Sequence, residues 1–161
     1  MSIFPTKILL ATDGSRESTL AAQSAAEIAY ETGSELHIVY VHPRKVPLHP
    51  GDYVGPEVAV HPSQREQELV ERETQRLLDA QVEGIEAAGS SVAQTHAGIG
   101  RPDEEIVALA EELGASLIVV GSRGWGEIRR ALMGSVSDSI VRHAHCPVLV
   151  VRKEQTTKED R

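Results

Sequence analysis

"VVGSRGWGEIRRALMGSVSDSI", residues 119 to 140, runs from the end of an apolar stretch through Gly121, Gly124 and Gly134 into a helical pattern beginning at Ser135. The apolar run that feeds it, "SLIVVG" at residues 116 to 121, has the near-continuous hydrophobicity of a parallel strand covered on both faces. A buried strand, a glycine loop and a helix in succession are half of a βαβ unit. The remaining sequence decides whether that unit repeats.

It does. "KILLAT", residues 7 to 12, is another buried run, and after "DGS" the residues Ala21, Ala25, Ile28 and Ala29 recur at helical spacing until Gly33 stops the helix. "ELHIVYV", residues 35 to 41, predicts a second strand. Ser63 to Gly89 reads as a long charged helix with Leu69, Leu77, Leu78, Val82 and Ile85 as its apolar stripe. "SVAQTHA", residues 91 to 97, is a weak strand signal because it holds few large apolar residues. "PDEEIVALAEELG" predicts a helix in which Asp103 caps, Glu104 and Glu105 suit the positive end, and Ile106, Ala110 and Leu113 face inward. Ser135 to about His143 forms the last helix and "PVLVV", residues 147 to 151, the last strand.

The order is therefore β-α-β-α-β-α-β-α-β. It predicts an open five-stranded parallel α/β sheet with helices on both faces, joined by right-handed crossovers. Length fits one domain over residues 1–152, with the polar "KEQTTKEDR" at 153–161 as a flexible tail. Residues 42 to 63 hold five of the eight prolines and read as a loop, long enough to be a mobile cover, an interface arm or a simply disordered segment.

Composition narrows the partners. A net charge of −8 disfavours nucleic-acid binding through a broad basic surface, although Arg129 and Arg130 can hold a small anion. No apolar stretch approaches the roughly 20 residues that span a bilayer, so no membrane partner is expected. The lone Cys146 cannot form an internal disulfide, and "MSIFPTKILLATDG" offers no apolar signal segment before Lys7 and Asp13. The expected location is cytoplasmic.

In open parallel sheets ligands sit beyond the carboxyl ends of the strands, where neighbouring connections leave toward opposite faces. "ATDGS" and the glycine loop occupy two such ends. Glycines let backbone N–H groups approach an anion, and the helix after Gly134 offers unpaired N–H groups and a positive dipole end. Ser135 can hydrogen-bond a phosphate or cap that helix, with Asp138 as an imperfect capping-box partner. Asp13 is either a helix cap or an acceptor for sugar hydroxyls.

Gly121, two residues, Gly124, nine residues and then Gly134-Ser135 match, without insertion or deletion, the G-2x-G-9x-G-[ST] pattern of ATP-binding universal stress proteins. "KILLATDGS", "LHIVYVHP", "GRPDEEIVALAEELGASLIVVGSRG" and "SVSDSIVRHAHCPVLVVR" extend the resemblance over nearly the whole chain except residues 42 to 63 and the tail. The resemblance implies strand order 3-2-1-4-5 and an ATP-binding regulatory protein of the stress response, with ADP or AMP as alternative ligands and Mg²⁺ accompanying the phosphates. It implies that Asp13 contacts the nucleoside, that Ala11 and Thr12 line the same edge, and that Val41 meets adenine through its backbone. Val120, Gly121, Arg123, Gly124, Gly134, Ser135, Val136 and Ser137 would surround the remainder of the nucleotide. A homodimer through the apolar final strand is also implied, and it would cover an exposed sheet edge.

Other functions fit less of the sequence. A slow ATP hydrolase lacks the GxxxxGK[ST] loop, a dinucleotide oxidoreductase lacks GxGxxG in "ATDGSRES", and a dimeric interaction module leaves the intact glycine spacing unused. No catalytic residue is assigned. His143 and His145 are the closest histidine pair but have no accompanying ligand cluster, so no metal held by side chains alone is expected. Trp125, within the glycine loop, either covers a nucleotide or packs on the domain.

Overall fold

The computed structural model describes Phe4 and residues 6–44, 63–122 and 134–153. The apolar runs become β1 (Lys7–Ala11), β2 (Glu35–Pro43), β3 (Gln94–Gly100), β4 (Leu117–Gly121) and β5 (Val148–Val151). Between them lie α1 (Arg16–Thr32), α2 (Gln64–Ala87), α3 (Pro102–Leu113) and α4 (Ser135–His143). All four strand pairings are parallel and the order is β3-β2-β1-β4-β5, as the resemblance implied.

Strand alternation splits the core into two layers. Ile8, Leu10, Leu36, Ile38 and Val119 point toward α1 and α2, while Leu9, Val39, Ile118 and Val120 point toward α3 and α4. On the first face α1 contributes Ala21, Ala22, Ala25, Ala26 and Ala29, all buried. These small side chains let the helix backbone lie close to the sheet. Ser15 caps α1, its side chain accepting from Ser18 N–H, and Gly33 ends it at φ 67°, a left-handed angle that glycine adopts without steric penalty.

Several local expectations are corrected. The third strand is Gln94–Gly100, not residues 91 to 97. It is an edge strand whose polar and glycine residues carry little burial signal, and its ladder with β2 fixes the register instead, pairing His37 with Gln94 and Pro43 with Gly100. Leu69 does not join the apolar stripe of α2: it is 50% exposed, whereas Leu78 and Ile85 are buried. The start of α2 is fixed by a capping box between Ser63 and Glu66.

Asp103 does not cap α3. Arg101 occupies the N-cap and Pro102 opens the helix, so the Asp103 carboxylate accepts from Ser139 on α4 at 2.7 Å and pairs with Arg101 at 3.2 Å. Nor does Ser135 cap α4. Gly134 holds that position, with no side-chain cap, and Asp138 pairs with Arg142 at 2.9 Å rather than closing a capping box. Among the described residues, no helix is long and apolar enough to cross a membrane.

Candidate functional site

The polypeptide leaves β1 toward α1 on one face of the sheet and leaves the adjacent β4 toward α4 on the other. That divergence opens a crevice at the carboxyl ends of the two strands. It holds a cavity of about 520 Å³. Ala11, Thr12 and Asp13 line it from the β1 end, Val41 from β2, Val120 and Gly121 from β4, and Gly134, Val136 and Ser137 from the start of α4. Nine of the sequence-derived site residues thus meet around one space. Ser135 is exposed and does not line it. Arg123, Gly124, Trp125, Arg129 and Arg130 lie outside the described residues.

The β1–α1 turn is ordered by its own polar side chains. Asp13 Oδ1 accepts from Ser15 N–H at 2.9 Å, Thr12 Oγ1 accepts from Gly14 N–H at 3.4 Å, and Thr12 Oγ1 donates to Ser18 Oγ at 3.2 Å. Asp13 is therefore no helix cap. Ser15 caps, and the carboxylate braces the turn while staying exposed at the cavity rim. Gly14 completes the turn at φ 79°, where its α-carbon faces Leu77 of α2.

Val41 offers its backbone. The β1–β2 ladder ends at Ala11 and Val39, with Thr12 N–H donating to the Val39 carbonyl at 3.0 Å. Backbone groups two residues apart on a strand point the same way, so the N–H and C=O of Val41 face the gap that β1 has vacated. A donor and an acceptor on one residue suit the edge of a planar base. Val120, Ile106 and Val136 add apolar walls to the same cavity.

The start of α4 supplies donors for an anion. Gly134 N–H is held by the Ser122 carbonyl at 2.6 Å, and the first intrahelical bond runs from Asp138 N–H to the Gly134 carbonyl at 2.9 Å. The amides of Ser135, Val136 and Ser137 therefore precede the helix's own acceptors. Ser137 is further fixed by donating its hydroxyl to the Gly121 carbonyl at 2.6 Å. This bond locks the helix start to the end of β4.

Gly121 has a structural role that the glycine pattern did not disclose. A β-carbon there would stand 2.8 Å from the carbonyl carbon of Glu17 and 2.9 Å from its β-carbon. The residue must be glycine so that α1 can lie against β4, whatever approaches from the cavity.

Among the described residues, the titratable side chains lining the cavity are Asp13 and Tyr40. Burial, followed by Glu73 and Asp13, pushes the Tyr40 hydroxyl above its ordinary pKa. Sequence reasoning missed Tyr40, Ser18, Pro43, Pro102 and Ile106 as lining residues. Ser18 was legible through its spacing from Ser15. Pro102 and Ile106 enter only because the α3 start lies beside the end of β2, a tertiary relation.

No group of three His, Cys, Asp or Glu among the described residues is placed to hold a metal. His143 Nδ1 is 2.8 Å from the Ser139 carbonyl, whereas His145 pairs with Glu111 at 2.7 Å. Cys146 is half-buried, and burial raises its thiol pKa.

The strand order and the crevice at its reversal define an open, parallel α/β protein with a ligand-sized site at the strand ends. The chain belongs to the universal stress protein family, whose model matches residues 5–152. It is 38% identical over 147 residues to universal stress protein MJ0531 of Methanocaldococcus jannaschii, an alignment covering 91% of this chain and 82% of that protein. The structure of UspA from Lactobacillus plantarum superposes with a TM-score of 0.75 at 25% identity, covering 92% of this chain and 99% of the other. A universal stress protein solved in complex with cAMP superposes with a TM-score of 0.67 at 23% identity, covering 92% and 98%.

Proposed function

We propose that the crevice binds an adenine nucleotide, with ATP as its principal ligand and ADP or AMP as competitors, and that occupancy regulates the protein's conformation or choice of partner in a cytoplasmic stress response. The observation that carries this reading is the convergence on one cavity of the Val41 backbone, Asp13 and the uncapped start of α4. The base lies against Val41 and the apolar wall, Asp13 accepts from a sugar hydroxyl, and the phosphates extend toward the α4 amides. A relative of the same fold was solved with cAMP, an adenosine phosphate.

The described lining holds one carboxylate and no lysine or arginine. Balancing a triphosphate then falls to the helix dipole, to a Mg²⁺ carried by the phosphates, and to Arg123, the charge-assisted donor that the family pattern offers. A second copy joins through β5, which stands at the sheet edge with its four residues half-exposed. Occupancy regulates only if two states of the protein bind nucleotide with different affinity.

The test is thermal melting of dialysed protein with ATP, ADP, AMP or NAD, with and without Mg²⁺, alongside Gly134→Asp. A ligand at about 100 times its Kd adds roughly 2.7 kcal/mol, a rise of about 5–10 °C for a chain of this size. Aspartate at the N-cap satisfies the α4 amides from within the chain, so the variant is expected to stay folded and lose the shift. No adenine-nucleotide shift in emptied wild type, or an equal shift in Gly134→Asp, overturns the proposal.

A further inference from the structure

On the α3 face of the sheet, His37 of β2 meets His96 of β3 with their ring nitrogens in contact. His37 is 5% exposed. Its Nδ1 lies 3.1 Å from Nε2 of His96, and its Nε2 lies 3.2 Å from Oε2 of Glu35. The ring centroids are 5.4 Å apart and the planes differ by 24°. That separation exceeds the nitrogen–nitrogen distance by about two imidazole radii, so the rings meet nearly in line and in one plane.

In this geometry each facing lone pair points at the other nitrogen. One proton fits between them, making an N–H···N hydrogen bond. A bridging cation does not fit, because two bonds of about 2.0 Å on one line require nitrogens about 4 Å apart.

Two proton counts satisfy all three groups. With the pair neutral, His96 Nε2–H donates to His37 Nδ1 and His37 Nε2–H donates to Glu35. With one added proton, His37 is an imidazolium that donates to both neighbours. A second added proton puts hydrogen on both facing nitrogens, and the bond between the rings is lost.

We propose that His37 and His96 form a one-proton clasp holding edge strand β3 to β2, and that a second proton opens the clasp and loosens this edge and the packing of α3 on it.

The surroundings support the arrangement from each neighbouring element. Glu35 flanks His37 on β2, Lys7 of β1 is the register partner of Glu35, and Glu112 of α3 acts on His96. Burial and then His37 push His96 below the ordinary imidazole value, against the opposing pull of Glu112. Because β3 ends the sheet, it is held by one ladder. Its far end continues through Arg101 to Pro102, a wall of the cavity, so a loosened edge reaches the site whatever that site binds.

The test uses the full chain, with ¹⁵N NMR titration of the imidazoles and amide exchange, corrected for intrinsic rates, across Gln94–Gly100. In wild type the two rings should titrate as a coupled pair, and protection of the strand should fall about tenfold more between pH 7.5 and about 4 than in His96→Gln. The glutamine amide donates to His37 Nδ1 without titrating. Independent titration of the two rings, or the same loss of protection in wild type and variant, overturns the proposal. Should His96→Gln not fold, the wild-type ring titration decides alone.

Discussion

Gly121→Ala separates two reasons for a glycine at the head of the motif. If glycine were needed only to admit a phosphate, the substitution would leave the ligand-free protein unharmed. Alanine restricts the unfolded chain and, at an angle it can adopt, stabilises by about 0.4–1 kcal/mol. No left-handed φ is found at Gly121, so that gain is available. Against it stands the β-carbon 2.8 Å from the Glu17 carbonyl carbon, 2.9 Å from Glu17 Cβ and 3.0 Å from Glu17 O. Ordinary carbon contacts need about 3.5–4.0 Å. The first turn of α1 must therefore withdraw by up to about 1 Å, although Ala21 and Ala25 hold the helix to the sheet with no exposed surface. Overpacking of this kind costs typically 1–3 kcal/mol. The net expectation is a loss of about 1–2 kcal/mol, a Tm lower by about 2–8 °C. Urea denaturation of nucleotide-free wild type and variant, followed by circular dichroism, measures it. A variant as stable as wild type, or more stable, would refute the packing argument.

Ser139→Ala removes the hydroxyl that donates to Asp103. Burial pushes the Asp103 carboxyl up, but Ser139, Arg101 and the local backbone amides outweigh it and hold the group below the usual carboxylate value. That stabilisation is present above the unfolded pKa and lost as pH falls through the folded one. Urea melts should show a deficit of about 1–2 kcal/mol at pH 7 that shrinks near pH 3; an equal deficit at both values would contradict it. Val150→Pro addresses the dimer. Pro147 and Val151 turn their carbonyls to β4, so alternation points the Val150 N–H outward. Sedimentation should find a wild-type dimer and a folded monomeric variant; a monomeric wild type or a dimeric variant speaks against pairing through β5.

The fold was legible because its central strands carry their burial in their composition. Ile8, Leu9 and Leu10, like Ile118 and Val119, are fully buried from both faces, and only covered parallel strands ask for such runs. β3 was misplaced because an edge strand asks for little: Gln94, Ala97 and Ile99 are exposed, and Gly98 and Gly100 resemble a turn. Leu69 misled because a helical stripe does not reveal where the neighbouring layer stops. At the site, the glycine and serine positions were readable as a pattern, but their division of labour was not. Whether Gly121 faces a ligand or a helix, and whether Ser15 or Asp13 caps α1, depends on contacts between segments distant in the chain. The in-line histidines were equally hidden, since His37 and His96 become neighbours only through the β2–β3 register.

The central position of β1 has a consequence for synthesis. Of the five strands of this sheet, the one made earliest becomes the middle one, with β2 on one side and β4 on the other. Its partner on the first side follows at once, Lys7 meeting Glu35, but on the second side Ile8 must wait for Leu117. At about 5–20 residues per second, that edge stays open for roughly 5–20 s in the nascent chain. During that interval the β4-facing edge of β1 keeps its backbone groups unpaired and ready to pair with another copy. A strong demand for chaperone protection would therefore fall while residues between α1 and β4 are being made, and a pause in translation there would prolong it.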